Sequence, residues 1–369
     1  MEHAESGAVR PGYDVLVPQG DLCRDGHGAG SPVYSVAGMV MQQTRDRTGE
    51  RPGGPLAVST AGLTKRFGDR TVVDDVALAI PSGSVCGFVG PNGAGKTTTI
   101  RMLLGLVRPT SGSGTILGGS LAEPATYLHK VGALIESPAF YPQLSGRENL
   151  KALARLGRLP LTAVDPVLER SGLLARAGDR YRSYSLGMKQ RLGIAAAMLA
   201  GPELLILDEP TNGLDPAGIV EMRGLIKSFA DDGITVLVSS HLISEIEQIC
   251  GYVVMIRAGR LVHQGSVAAL RAAQRAEFQV APEHDADRDR LARLLQQAGC
   301  TVTPGDAEGL LLVEAPGAGA ADLNRLAAQN GITVRQLAER TRSLERAFFA
   351  LTGTKSEDVP DGQEMGAIR

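Results

Sequence analysis

Gly90-Pro-Asn-Gly-Ala-Gly95-Lys96-Thr97 spaces two glycines, a lysine and a hydroxyl in the pattern G-x-x-x-x-G-K-[ST]. Glycines let successive backbone N–H groups curl around an anion, and a helix starting at the lysine adds its positive dipole end. The chemistry this fits is the β- and γ-phosphates of ATP. Gly90, Pro91, Asn92, Gly93, Ala94 and Gly95 wrap them, Lys96 brings positive charge to the γ-phosphate, and Thr98 extends the cradle. The Thr97 hydroxyl suits Mg²⁺. A second segment, Leu204-Leu-Ile-Leu207-Asp208-Glu209, delivers two carboxylates at the end of an apolar run. Asp208 is placed to hold Mg²⁺ through its water shell, and Glu209 to polarise an attacking water. Taken singly, a glycine-rich turn can bind nothing and an apolar strand can simply end in acids. Together they predict nucleotide hydrolysis.

These groups need elements to position them. Val85–Val89 reads as a short strand running into the glycine loop, and Ile100, Leu103, Leu104 and Val107 follow at helical spacing until Pro109 and Gly112. Leu56–Thr60 and Val72–Ile80 read as strands flanking the turn at Gly68–Asp69. Residues Ala125–Ala200 read as largely helical. Leu204–Leu207 is a strand buried on both faces, whose acids then lie at the C-terminal edge of a sheet, where open α/β sheets bind ligands. Asp215 as N-cap and Pro216 at the first position start a helix with Ile219, Met222, Ile226 and Phe229 on one face. Ile234–Val238 is the next buried strand, so strand, crossover helix and strand make a parallel α/β sheet. Tyr252–Arg257 and Leu261–His263 flank Ala258-Gly259 as a hairpin. Beyond Ala276, strands at Glu277–Val280, Gly309–Glu314 and Thr333–Leu337 alternate with helices at Arg288–Gln297, Ala321–Ala328 and Leu344–Leu351.

At this point the chain resembles the ATP-binding-cassette (ABC) proteins. Tyr184-Ser185-Leu186-Gly187-Met188-Lys-Gln-Arg stands where the family carries its Leu-Ser-Gly-Gly-Gln signature. Asn212-Gly-Leu214-Asp215-Pro is similar to the D-loop, and Ser239-Ser240-His241 to the switch histidine. The resemblance covers about 56–265. It implies a P-loop NTPase cassette, with a mixed-sheet core and a helical subdomain at about 125–200, followed by a small C-terminal α+β domain. The implied division is an N-terminal disordered tail at 1–55, a cassette at 56–275, an accessory domain at 276–354 and a polar tail at 355–369.

The resemblance also implies roles. Phe67 stacks on adenine, or else is a core aromatic beside a turn. Ser185 and the Gly187 N–H reach the γ-phosphate of ATP bound to a second copy, though Ser185 also reads as a plain helix cap. His241 contacts the γ-phosphate and the hydrolytic water, against the bland reading of a structural strand-end histidine. Asp215 acts at the dimer interface or only caps its helix. Two departures stand out. Leu186 and Met188 replace a glycine and a glutamine of the signature, and Glu136 in Val131-Gly-Ala-Leu-Ile-Glu136 replaces the Q-loop glutamine. A carboxylate can accept Mg²⁺ or its water as an amide oxygen does, but adds a charge.

Glu136-Ser-Pro-Ala-Phe-Tyr-Pro followed by Leu-Ser-Gly-Arg-Glu-Asn-Leu150 is similar to cassettes of bacterial drug and bacteriocin-peptide exporters. Their implied partners are ATP, a separate polytopic membrane permease, and a second or related cassette. Tyr127–Leu150 is expected to dock the permease, exposing Phe140 and Tyr141, unless these fill the helical core. The rival function is a soluble ABC ATPase working on ribosomes or DNA. One phosphate loop, and no long insertion between Gly95 and Ser185, argue against it.

Composition agrees. A chain of 369 residues suggests two or three domains, and 43% hydrophobic with 21% charged residues is ordinary for globular proteins. A net charge of −2 offers nothing to hold nucleic acid. The longest apolar stretch, Leu192–Ala200, falls short of the roughly 20 residues that span a bilayer. Cys23, Cys86, Cys250 and Cys300 show no Cys-x-x-Cys spacing, and Met-Glu-His-Ala-Glu at the start is no signal peptide. The expected location is the cytoplasmic face of the cell membrane, held peripherally, with Met39 or Met41 as a possible natural start.

Overall fold

The computed structural model describes residues 54–352, apart from 137, 274–275, 306–308 and 341–342. The tail expected at 355–369, the two methionines of the alternative start, and all of 1–55 except its last two residues lie outside the described residues. In chain order the elements begin with β1 (Leu56–Phe67), β2 (Arg70–Val76), β3 (Ala79–Pro81), β4 (Val85–Val89), α1 (Lys96–Leu103), β5 (Ser111–Ile116), β6 (Gly119–Ser120) and β7 (Val131–Leu134). Then come α2 (Gly146–Leu156), α3 (Val164–Arg170), α4 (Leu186–Met198), β8 (Leu204–Asp208), α5 (Pro216–Asp231), β9 (Thr235–Ser240), α6 (Ile243–Glu247), β10 (Tyr252–Arg257), β11 (Arg260–Ser266) and α7 (Val267–Ala272). The last are β12 (Glu277–Pro282), α8 (Arg288–Gln297), β13 (Thr301–Pro304), β14 (Leu311–Glu314), α9 (Ala320–Gln329), β15 (Val334–Glu339) and α10 (Leu344–Thr352).

The central sheet has six strands in the order β11-β10-β4-β9-β8-β7. It is parallel from β10 to β7, with β11 antiparallel at the edge. Its inner strands β4, β8, β9 and β10 are mostly apolar because both faces are covered, whereas the edge strand β11 is mixed. Leu204 and Ile206 of β8, with Phe88 of β4 and Leu237 of β9, pack into one core with α1 and the antiparallel β1 and β2. Leu205 and Leu207 alternate into the opposite core with Met222, Ile226 and Phe229 of α5. Each fully buried leucine contributes about 1.5–3 kcal/mol. That burial fixes where the strand ends, and so where Asp208 and Glu209 sit.

A second, antiparallel sheet of five strands runs β2-β1-β5-β6, with β3 also on β1. β1 is longer than the Leu56–Thr60 strand read from sequence. β5 and β6 give no sequence signal because Ser111-Gly-Ser-Gly lacks β-branched residues until Thr115. A third core joins α2, α3 and α4 through Leu150, Ala154, Leu168, Leu192 and Leu199. β7 interrupts the stretch read as helical: four residues, Val131–Leu134, pair in parallel with β8. A run that short carries no period to distinguish strand from helix.

The small α+β unit is a four-stranded antiparallel sheet, β13-β14-β12-β15, covered by α8 and α9. This is the split βαβ arrangement, with β13 added to the strands read from sequence. The final helix behaves differently. Sequence order groups it with the small unit, yet Leu344, Ala347 and Phe348 of α10 join the core that holds α5, β8 and β9. Glu247 at the end of α6 accepts the Leu344 N–H at 3.0 Å and binds Arg271 of α7 at 2.7 Å. On the other side, Arg346 reaches Glu277 of β12 at 2.6 Å.

Candidate ATP-hydrolysis site

The loop between β4 and α1 is shaped by backbone that tolerates little else. Gly95, the residue before α1, has φ 102°, and a Cβ there would lie 2.8 Å from the Val72 carbonyl oxygen. A Cβ on Gly90 would lie 2.3 Å from the Ile256 carbonyl oxygen. Only glycine fits at these two positions. Lys96 opens α1 with its side chain 6% exposed, and its Nζ donates to the Gly90 carbonyl at 2.8 Å. The ammonium thus lies in the curl of the loop.

Facing it is the end of β8. Asp208 is buried and accepts a hydrogen bond from Ser239 Oγ on β9. Glu209 follows with φ 50°, a left-handed conformation costing on the order of 1 kcal/mol, and its N–H donates to Ser239 Oγ at 3.0 Å. One Glu209 oxygen lies 3.3 Å from Lys96 Nζ, and the other lies 2.8 Å from His241 Nδ1. The parallel sheet therefore brings together Lys96, Glu209 and His241 from three loops. The cleft they share is about 520 Å³, lined also by Arg70, Val72, Asn92 to Thr98, and Asn212. A polyphosphate with its charge on the loop side meets a carboxylate and an imidazole across the cleft. That arrangement can hold and polarise water.

The donors for a metal are oxygens: the Thr97 hydroxyl in the cleft wall and the Asp208 carboxylate at the strand end. Among the described residues no three His, Cys, Asp or Glu side chains cluster as a metal site. A hard cation held by these oxygens would take further donors from phosphate and water, a donor set that fits Mg²⁺.

Phe67 ends β1 with 52% of its surface exposed and Lys65 Nζ 5.0 Å from its ring centre. It pairs with Arg70, which lines the cleft. The reading of Phe67 as a buried core aromatic is thereby excluded. Ser185 and Gly187 do not face Lys96. They line a separate cavity with Gly213, Leu214 and Asp215. Ser185 caps α4, taking the Met188 N–H at 3.3 Å, and Asp215 caps α5, taking the Gly218 N–H at 3.0 Å. Glu136 also lies apart: it is exposed, is not part of the cleft wall, and pairs with Arg101 at the far end of α1. Sequence reasoning gave no role to Ser239, Arg70 or Asn212. Ser239 and Asn212 carried a signal, as the first residues of the switch and D-loop segments, and Arg70 carried none.

A family model described as ABC transporter matches residues 73–212, which hold the loop, the signature and the acid pair. Over 301 residues the chain is 42% identical to the bacitracin transport ATP-binding protein of Bacillus licheniformis, covering 80% of this chain and 97% of that one. The chain belongs to the ABC transporter ATP-binding proteins. The chain is also 33% identical over 307 residues to a daunorubicin resistance ATP-binding protein of Streptomyces coeruleorubidus, covering 80% of this chain and 96% of that one. A solved ATP-binding subunit of an ABC transporter superposes with TM-score 0.53 at 30% identity, covering 59% of this chain and 92% of that one. The cassette's reaction is therefore ATP hydrolysis, and ribosome or DNA work is not favoured. A second model, a domain of unknown function, matches residues 284–345. Among the described residues no helix is long and apolar enough to cross a membrane.

Proposed function

We propose that this cassette powers export of a drug or antimicrobial peptide through a separate membrane permease, at the cytoplasmic face of the membrane. The single observation carrying this is full-length similarity to the bacitracin transport relative, 97% of which is covered, so the likeness includes the small C-terminal unit. In the proposed reaction Lys96 and the loop N–H groups bind the β- and γ-phosphates, and Phe67 stacks on adenine. Thr97 and Asp208 hold Mg²⁺, which neutralises phosphate charge when bound. Glu209 accepts a proton from the attacking water, and His241 orients Glu209 and contacts the γ-phosphate. Glu136 joins the metal set only if its pair with Arg101 opens.

Each site is completed by a second cassette, whose Ser185 and Gly187 supply the γ-phosphate contacts absent from the cleft of one copy. The unit after 276 serves as an accessory, since among its described residues there is no phosphate loop and no acid pair at a strand end. Co-purification with a polytopic membrane protein, and ATP-driven movement of peptide by the reconstituted pair, test the proposal. Binding to ribosomes or DNA, without a membrane partner, contradicts it.

A further inference from the structure

Thr211 and Glu245 form a buried polar pair that the reaction above leaves without a part. They are 9% and 7% exposed, and Thr211 Oγ1 donates to Glu245 Oε2 at 2.6 Å. A carboxylate withdrawn from water needs donors, and an apolar pair fills a core more easily. The position of the pair explains its presence.

Thr211 stands two residues after Glu209, in a turn closed by the Asn212 N–H on the Glu209 carbonyl at 3.1 Å and by the Leu214 N–H on the Thr211 carbonyl at 3.1 Å. Glu245 lies in α6, which starts two residues after His241. The Leu242 N–H donates to Ser240 Oγ at 2.9 Å, and the Glu245 N–H to the Leu242 carbonyl at 3.2 Å. The Thr211–Glu245 hydrogen bond thus ties the turn after Glu209 to the helix after His241, beyond the strand-end bond of the Glu209 N–H to Ser239. α6 has five residues, too few to hold itself by helical hydrogen bonds, so tertiary contacts must fix it. Glu209 itself sits at φ 50°, a conformation that persists only where its surroundings enforce it.

We propose that Glu245 is a positioning residue for ATP hydrolysis. Through Thr211 it clamps α6 against the Glu209 turn, and so holds the His241 imidazole on the Glu209 carboxylate. The inference rests on the assignment of Glu209 and His241 to the reaction. It predicts that losing the clamp slows turnover and leaves the loop's grip on ATP intact, because neither Thr211 nor Glu245 lines the phosphate cleft.

The test uses the full chain with Mg-ATP, measuring turnover, KM and thermal midpoint. Thr211→Val and Glu245→Ala should each lower kcat by about 10- to 100-fold with little change in KM, the scale of a small misplacement of a catalytic group. The double variant should be no worse than either single one. Glu245→Gln keeps an acceptor oxygen for the threonine hydroxyl and should restore most turnover. In a His241→Ala background, Glu245→Ala should add no further loss. Full turnover in Thr211→Val overturns the clamp, as do additive losses with His241→Ala. Should Glu245→Ala not fold, Thr211→Val and Glu245→Gln decide alone. Glu209→Gln, run alongside, separates the two claims. Retained turnover there overturns the base assignment, whereas loss there with full turnover in Thr211→Val overturns the clamp only.

Discussion

Lys96 and Glu209 meet at 3.3 Å, so the residue proposed to bind phosphate and the residue proposed to take a proton touch each other. In the proposed reaction, phosphates entering the loop would compete with Glu209 for the ammonium, freeing that carboxylate oxygen for water while the other stays on His241. The two side chains predict different defects. Lys96→Ala removes a charge-assisted contact worth about 1.5–3 kcal/mol, so nucleotide affinity should fall by about 10- to 100-fold together with turnover. Isothermal titration with ATP measures it, and unchanged affinity contradicts the role. Gly90→Ala acts through shape alone. A methyl group 2.3 Å from the Ile256 carbonyl forces the loop to move, so ATP binding should be lost while the thermal midpoint stays above room temperature. Normal binding in that variant contradicts a rigid loop.

At the scale of elements, Phe140 and Tyr141 part company. Phe140 is half-buried and packs edge-on against Tyr181 with ring centres 5.2 Å apart. Tyr141 is 67% exposed, on a loop held by Asn149, whose amide takes the Tyr141 N–H at 2.8 Å and donates to its carbonyl at 3.1 Å. Phe140→Asp should therefore destabilise the helical core. Tyr141→Asp should spare folding and basal hydrolysis and impair transport with the permease. Equal loss of hydrolysis and transport in Tyr141→Asp removes it from the docking surface. α10 carries a related prediction. Phe348 is 6% exposed in a cassette core, and Phe348→Ala should cost about 3 kcal/mol of stability in denaturant unfolding. Deletion from Ala276 removes that helix as well as the small unit, so stability should fall while folded protein still binds ATP. Loss of binding in folded protein contradicts the accessory role. Beside α10, burial holds the His263 pKa below its ordinary 6.5. Its neutral form is favoured in the fold, so this contribution is complete above about 6.5 and is lost as pH falls below it. His263→Gln should flatten the decline of thermal midpoint across that window, and an unchanged slope refutes the assignment.

The same elements show what sequence carries. β4, α1, β8, α5 and β9 were legible because buried parallel strands and one-faced helices write strong patterns; these located Lys96, Asp208 and Glu209, whereas His241 entered only through the family resemblance. β5 and β7 were not, since a Ser-Gly run and a four-residue strand take their conformation from neighbours. The Arg101–Glu136 pair and the Thr211–Glu245 bond were not legible either, because the partners lie 35 and 34 residues apart and only the fold brings them together.

At the scale of the whole molecule, the phosphate cleft and the cavity of Ser185 and Gly187 are separate on one chain. If both serve one ATP, two copies must close face to face with nucleotide between them. Glu209→Gln should therefore sediment as a monomer without nucleotide and as a dimer with Mg-ATP, and a monomer at saturating Mg-ATP, even with the permease present, contradicts the shared site. The central claim is that this dimer hydrolyses ATP with Glu209 as the base. Gln keeps the shape of the side chain and an acceptor oxygen but cannot take the proton. Turnover of Mg-ATP by Glu209→Gln, at concentrations where binding is saturated, tests this most directly. A loss of about 10²–10⁴ in rate, the contribution of a general base, is expected with ATP affinity unchanged. Near-normal turnover contradicts it, and shifts the organising of the water to His241.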